Sequence, residues 1–278
     1  MASTIKKAVL AASIALISFN AQATLTSYDS QGVEVVYSSI SNVTWTKDAN
    51  LLGSLMTSQG FNNVVNNIIA ASPVISNMPN YWDGGTGSYS VTASDFSTTN
   101  FGRTSWYGAM AFVNYLNTVN YAGSSAWRLP TVTVGQGYLF CWNNCTAGYN
   151  VYTNGVSIGN EYAELYYKEL GSLGREDIYG NYQPNHGLVD PLNKFNNEQS
   201  YVYWLGTQDD RAPSDAWYFT MNEGVQSVGG YKAFPLHASY AWAVTSGRIS
   251  TIPEPRNYAM LMAGLGLLGI VIHRKKQA

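Results

Sequence analysis

Residues 201–228, YVYWLGTQDDRAPSDAWYFTMNEGVQSV, carry the pattern that decides the fold class. Three short aromatic and β-branched runs stand here: Tyr201 to Leu205, Ala216 to Met221, and Val225 to Val228. Asn222-Glu223-Gly224 separates the last two and reads as a hairpin turn. In the middle run Trp217, Phe219 and Met221 alternate with Ala216, Tyr218 and Thr220. A period of two places the first set on a core-packing face and leaves the second face amphipathic. Tyr240 to Thr245 is a further run of the same kind, so the last third reads as antiparallel strands.

Working towards the N-terminus, Glu161 to Leu170 has a helical pattern, with Tyr162, Leu165 and Tyr166 on one face. Glu164 and Lys168 form an i, i+4 pair, and Gly171 sits where a C′ residue belongs. Val132 to Gly159 is rich in glycine and asparagine and reads as an inserted loop. Before it comes WRLPT, 127–131. Pro130 forces Leu129 to be extended, so Trp127 and Leu129 can bury on one face while Arg128 turns the other way. Arg128 can then pair with a carboxylate or cap carbonyls; holding an anionic ligand is the functional alternative. Ser105 is placed to cap a helix from Trp106 to Asn117, whose apolar face is Trp106, Met110, Val113 and Leu116. Pro79 to Gly102 reads as loop. Leu51 to Ala71 is helical in pattern, with Phe61, Val64, Val65, Ile68 and Ile69 at i, i+3, i+4, i+7 and i+8. Gly32 to Lys47 reads as two strands in a hairpin about Ser38 to Asn42.

The order of these segments carries a resemblance. VTWTKDANLL (43–52), a Trp-led helix, WRLPT, a helix, YVYWLGTQ (201–208), DAWYF (215–219), the Asn-Glu-Gly turn and YAWAV (240–244) with Gly247 just after resemble the Lcl C-terminal domain family. The resemblance spans Val43 to Arg248, with probable insertions near 51–101 and 132–159. That family is similar in fold to C-type lectins and to the formylglycine-generating enzyme domain. The resemblance therefore implies an α+β, C-type-lectin-like domain: two main helices packed on small, irregular antiparallel sheets with long loops. Some relatives are implicated in adhesion and in binding sulfated polysaccharide; fold alone does not fix function.

Both ends of the chain read as export signals. Lys6 and Lys7, the apolar stretch Ala8 to Phe19 and Ala21-Gln22-Ala23 form a secretory signal peptide over 1–23. The tail, 251–278, has Pro253-Glu254-Pro255, an apolar run from Tyr258 to Ile272, and Arg274, Lys275 and Lys276. The run is uncharged but short of the ~20 residues usual for a full span, and the basic cluster favours the cytoplasmic side. Pro-Glu-Pro, a Gly-rich span and a basic end in that order resemble the PEP-CTERM sorting signal. That resemblance implies an exosortase and the secretion machinery as partners, a transmembrane helix before processing, and residence afterwards in the cell envelope, at the cell surface or in the extracellular matrix. A plain membrane anchor is the alternative.

The body between these signals, 24–250, has the length of one domain. It holds nine Lys and Arg against sixteen Asp and Glu, a net charge of −7, which argues against nucleic acid as a partner. Cys141 and Cys145 form a close pair outside the cytoplasm and read as a local disulfide; a free or redox-active pair is the alternative. His186 and His237 lie in no nucleophile motif, and no Gly-x-Ser-x-Gly occurs, so no catalytic residue stands out. Asp209, Asp210 and Asp215 lie on one loop; such carboxylates can hold Ca²⁺ or form a solvated loop between strands. Trp82, Trp142 and Tyr149 lie in predicted loops, where aromatic rings can stack on sugars. Trp45, Trp127, Trp204, Trp217 and Trp242 lie in strand-like segments and are assigned to the core. The expectation is a non-enzymatic, exosortase-sorted envelope or matrix protein with a polysaccharide ligand. An enzyme acting on matrix polymers or surface proteins, and a purely structural biofilm component, are the alternatives.

Overall fold

A computed structural model describes residues 25–76, 87–133, 160–177, 181–209, 212–233 and 238–250. The architecture is mixed α+β, with helices packed on small sheets. The chain enters as a meander: β1 (Leu25–Ser30), β2 (Val33–Ser38) and β3 (Val43–Thr46), each antiparallel to the next. Gln31 and Gly32 both take positive φ, 54° and 81°, as a two-residue hairpin turn between twisted strands requires. The β2–β3 hairpin is the one read from Gly32 to Lys47. β1 is an addition; its LTSYDS lacks the β-branched density that marks the other strands.

The helix expected from Leu51 to Ala71 is two helices, α1 (Leu51–Gln59) and α2 (Phe61–Ala71). Gly60, with φ 88° and ψ 136°, breaks it. Val64, Val65 and Ile68 are buried as the spacing predicts. β4 (Val74–Ser76) follows Pro73 and pairs with β5 (Ser88–Ser90), which lies inside the stretch read as loop, Pro79 to Gly102. After β6 (Arg103–Thr104), Ser105 Oγ accepts from Gly108 N at 3.0 Å and starts α3 (Trp106–Thr118). Met110 is only half-buried, whereas Tyr107 and Phe112 are fully buried. Both α2 and the strand that follows the next helix contact α3, so its buried surface is wider than one stripe. That next helix, α4, begins at Glu161–Ala163 and continues as a π-helix over Glu164–Glu169. Tyr162, Leu165 and Tyr166 are buried, and Gly171 has the expected positive φ, 69°.

β7 (Val202–Gln208), β8 (Asp215–Thr220) and β9 (Val225–Tyr231) form the antiparallel set predicted from residues 201–228. The run Tyr240 to Thr245, expected as one strand, is two: β10 (Ser239–Tyr240) and β11 (Val244–Ser246). The reason is topological. Tyr240 pairs parallel with Tyr203, while Val244 pairs antiparallel with Trp45. The chain therefore leaves one sheet, of order β6-β10-β7-β8-β9, and enters the other, of order β1-β2-β3-β11. Trp242 sits at this crossing, with its centroid 5.0 Å from Trp45 and 4.8 Å from Phe195, and donates Nε1 to Thr46 O at 2.9 Å.

Two apolar clusters result. One joins α1, α2 and α3 to Val35, Trp127, Leu129, Trp204 and Ala216. The other joins α4 to Trp45, Tyr203, Trp217, Phe219 and Trp242. β8 lies between them, and its second face is amphipathic as read: Ala216 is fully buried, while Tyr218 and Thr220 are half-buried and Tyr218 packs against the helical cluster. The five tryptophans assigned to the core are all buried. Leu52, Met56, Val64, Val65 and Ile68, from the stretch read as an insertion near 51–101, are integral to the first cluster.

Candidate functional site

Beyond the Thr46 end of β3 the chain runs through Lys47, Asp48 and Ala49 to Asn50. There it meets a second segment, 196–199. Asp48 and Asn196 form a parallel bridge, with Ala49 N donating to Asn196 O at 2.8 Å and Asn196 N to Lys47 O at 3.0 Å. A third segment, Phe101-Gly102, closes over the start of α1. Asn50 joins these pieces: Oδ1 caps α1 by accepting from Gly53 N at 3.2 Å, and Nδ2 donates to Phe101 O at 3.2 Å. The approach is so close that a Cβ on Gly53 would stand 2.6 Å from the Phe101 carbonyl oxygen, which explains glycine there.

These segments enclose an open cleft of about 370 Å³, lined by Asn50, Gly53, Ser54, Thr57, Phe101, Asn197 and Gln199. Asn197 adopts the left-handed conformation, φ 57°. Its Nδ2 donates to Asp48 Oδ2 at 3.0 Å and to Ser54 Oγ at 3.1 Å. Gln199 Nε2 donates to Asn197 O at 2.8 Å, and its backbone N to Tyr203 Oη at 2.9 Å. Among the described residues the Asn197 Oδ1 and Gln199 Oε1 oxygens accept no hydrogen bond. Phe101, 36% exposed, is held at the rim by stacking on Phe61, with centroids 6.0 Å apart. The lining thus offers fixed amides and hydroxyls beside one aromatic face, and none of the described lining side chains is charged.

Asp48, bonded to Asn197, and Glu198 and Asp190 are titratable groups outside the lining. Burial pushes the Glu198 carboxyl up, and the Asp190 and Asp48 charges and a hydrogen bond with Asp190 add to the rise. Asp190 itself accepts from Leu192 N at 3.2 Å and Phe195 N at 2.8 Å. Neither Glu198 nor Asp190 lines the cleft.

The residues singled out in the sequence fare differently. Arg128 is committed to Glu161 through a two-pronged pair at 2.6 and 2.8 Å, and Glu161 also accepts from Thr131 N at 2.7 Å. The anion-binding alternative for Arg128 is thereby displaced: its guanidinium already holds a carboxylate. Asp209 and Asp215 meet across the β7–β8 connection, with Asp209 N donating to Asp215 O at 3.1 Å. Into this loop the buried Lys232 extends its ammonium, donating to Pro213 O at 2.6 Å and to Gln208 Oε1. That ammonium lies 5.0 Å from the Trp106 ring centroid. Among the described residues no group of three or more His, Cys, Asp or Glu could hold a metal ion. His186 Nδ1 bonds to the Gln183 carbonyl at 2.7 Å. Asp210, Trp82, Trp142, Tyr149, His237, Cys141, Cys145 and the tail motif Pro253, Glu254, Pro255, Arg274, Lys275 and Lys276 lie outside the described residues. No helix among the described residues is long and apolar enough to cross a membrane.

The cleft residues escaped sequence reasoning because they come from three separated stretches: the start of α1 and two polar loops. The one local signal was Asn50, a cap residue directly before the apolar start of α1. Compared with family models, curated proteins and solved structures, the chain matches none.

Proposed function

We propose that this chain is a non-enzymatic, exported protein of the cell envelope or extracellular matrix, with a C-type-lectin-like domain that binds polysaccharide in the cleft at Asn50, Phe101 and Asn197. The observation that carries the reading is the cleft lining. Sugars present hydroxyls that both donate and accept, and apolar faces of ring C–H groups. Planar amides and hydroxyls beside an exposed ring match both features. Glycosidic hydrolysis uses two carboxyls flanking the scissile bond, and among the described residues no carboxyl lines this cleft. The sheets, α3 and α4 support the lectin-like architecture at the level of small antiparallel sheets with flanking helices.

The tail reading, with an exosortase as partner, rests on the sequence and gains support from the way the domain ends. Leu25, Ser38, Val43 and Ser246 stand in one row across the first sheet. Just beyond, Gly247 N donates to Asn42 O at 2.7 Å, Thr44 Oγ1 donates to Gly247 O at 2.7 Å, and Ile249 N donates to Tyr28 Oη at 2.9 Å. Arg248 lies over Tyr28 and Tyr37, at 4.9 and 5.0 Å from their ring centroids. β1 therefore begins and β11 ends on one rim, while the cleft lies past the other end of β3. A domain tethered at that rim presents the cleft away from its anchor.

The test is a saturation experiment with extracellular polysaccharide from the exporting cells, with and without a calcium chelator. Saturable, chelator-insensitive binding weakened by Phe101→Ala is the expected result. Lys232 already places a positive charge at the loop holding Asp209 and Asp215, so calcium is not required. Polymer breakdown abolished by Glu198→Gln would establish the enzyme alternative instead.

A further inference from the structure

We infer that the cleft selects uncharged sugar units and rejects sulfated or carboxylated ones; the inference rests on the polysaccharide reading and sharpens it. Its basis is the electrostatics of the lining. An anionic substituent leaves water only where a cation or several donors replace its hydration. Among the described residues the side chains around this cleft are Asn50, Ser54, Thr57, Phe101, Asn197 and Gln199, with no Lys, Arg or His among them. Several of their donors are already committed within the protein. Asn50 Nδ2 serves the Phe101 carbonyl, Asn197 Nδ2 serves Asp48 and Ser54, Gln199 Nε2 serves the Asn197 carbonyl, and Thr57 Oγ1 serves the Gly53 carbonyl at 2.9 Å.

Two acceptors of the lining are left unengaged. Asn197 Oδ1 and Gln199 Oε1 accept nothing among the described residues. An acceptor-rich wall takes the hydroxyl hydrogens of a neutral sugar and repels the oxygens of sulfate or carboxylate. The charge behind the wall has the same sign, since Asp48 Oδ2 stands 3.0 Å from Asn197 Nδ2. Nearby cations are engaged elsewhere or lie outside the lining. Lys47 pairs with Glu34 at 2.6 Å. Arg103 donates Nε to Ala238 O at 2.8 Å and Nη2 to Tyr201 Oη at 3.0 Å, with its guanidinium over the Tyr201 ring. Lys194 is not a lining residue.

The test titrates the full chain, held in a non-glycosidic detergent, with neutral gluco-, galacto- and manno-oligosaccharides. The sulfated and uronate counterparts of each are titrated in parallel. At least one neutral series binds saturably, and its sulfated counterpart binds at least tenfold more weakly. Asn197→Ala and Phe101→Ala each weaken neutral binding about five- to tenfold, as loss of one good contact implies. Thr57→Lys, a change at an exposed position, narrows the preference by gaining affinity for the sulfated form. Equal or tighter binding of the sulfated or uronate form by the unaltered chain overturns the inference and leaves the polysaccharide reading standing. Neutral binding untouched by both Asn197→Ala and Phe101→Ala overturns the assignment to this cleft. No binding of any sugar overturns both.

Discussion

Glu161 and Glu169 stand at opposite ends of α4 and meet opposite fates. Glu161 accepts from both prongs of Arg128 and from Thr131 N, so its charge is fully answered. Removing Arg128 leaves a nearly buried carboxylate without its cation, which costs about 3–5 kcal/mol; one-third exposure of Arg128 favours the low end. Arg128→Ala should therefore lower the urea midpoint strongly, whereas Arg128→Lys, keeping charge but not the fork, should recover part of the loss. An unchanged midpoint in Arg128→Ala would contradict the scaffold role. Glu169 has no cation. Burial pushes its carboxyl up to about 7, while polar groups of Ser38, Ile40 and Ser39 offset only part of the rise. Its folded form holds the proton more tightly than the unfolded chain. The stabilisation it gives is therefore complete below the unfolded value, about 4.3, and is lost as pH rises through about 7. Denaturation midpoints should fall between pH 5 and 8, and Glu169→Gln should flatten that slope. A slope unaltered by the substitution would assign it to other groups.

At the scale of elements, the crossing from β10 to β11 holds the two sheets together. Trp242 packs on Trp45, Phe195, Tyr162 and Tyr203 there. Trp242→Ala should cost about 3–5 kcal/mol, read as a large drop in thermal midpoint; a drop of a degree or two would mean that the sheets are held otherwise. Gly53→Ala should disturb α1 and the cleft together, because the added methyl meets both Asn50 and the Phe101 carbonyl. Loss of sugar binding with the cap intact by NMR would contradict that coupling. The same elements explain what was legible in the sequence. Trp217-Tyr218-Phe219 announces a strand by alternation, and Ser105 announces the start of α3 by its hydroxyl. The split at Ala241-Trp242-Ala243 leaves no such mark, because changing sheets alters partners without altering local composition. The cleft was least legible, since Asn50, Phe101 and Asn197 become neighbours only through the Asp48–Asn196 bridge.

For the whole molecule, β1 begins and β11 ends in the row Leu25, Ser38, Val43, Ser246, and β3 leads from that row towards Asn50. In the proposed function, a tether near that row would leave the cleft facing polymer. The central claim is that this face binds polysaccharide, and one measurement addresses it directly. The full chain and its Phe101→Ala variant are titrated calorimetrically with extracellular polysaccharide from the cells that make the protein. The account predicts saturable binding by the first, at least fivefold weaker binding by the second, and the same thermal midpoint for both within a few degrees. No heat of binding, or equal affinity in the two proteins, would contradict it.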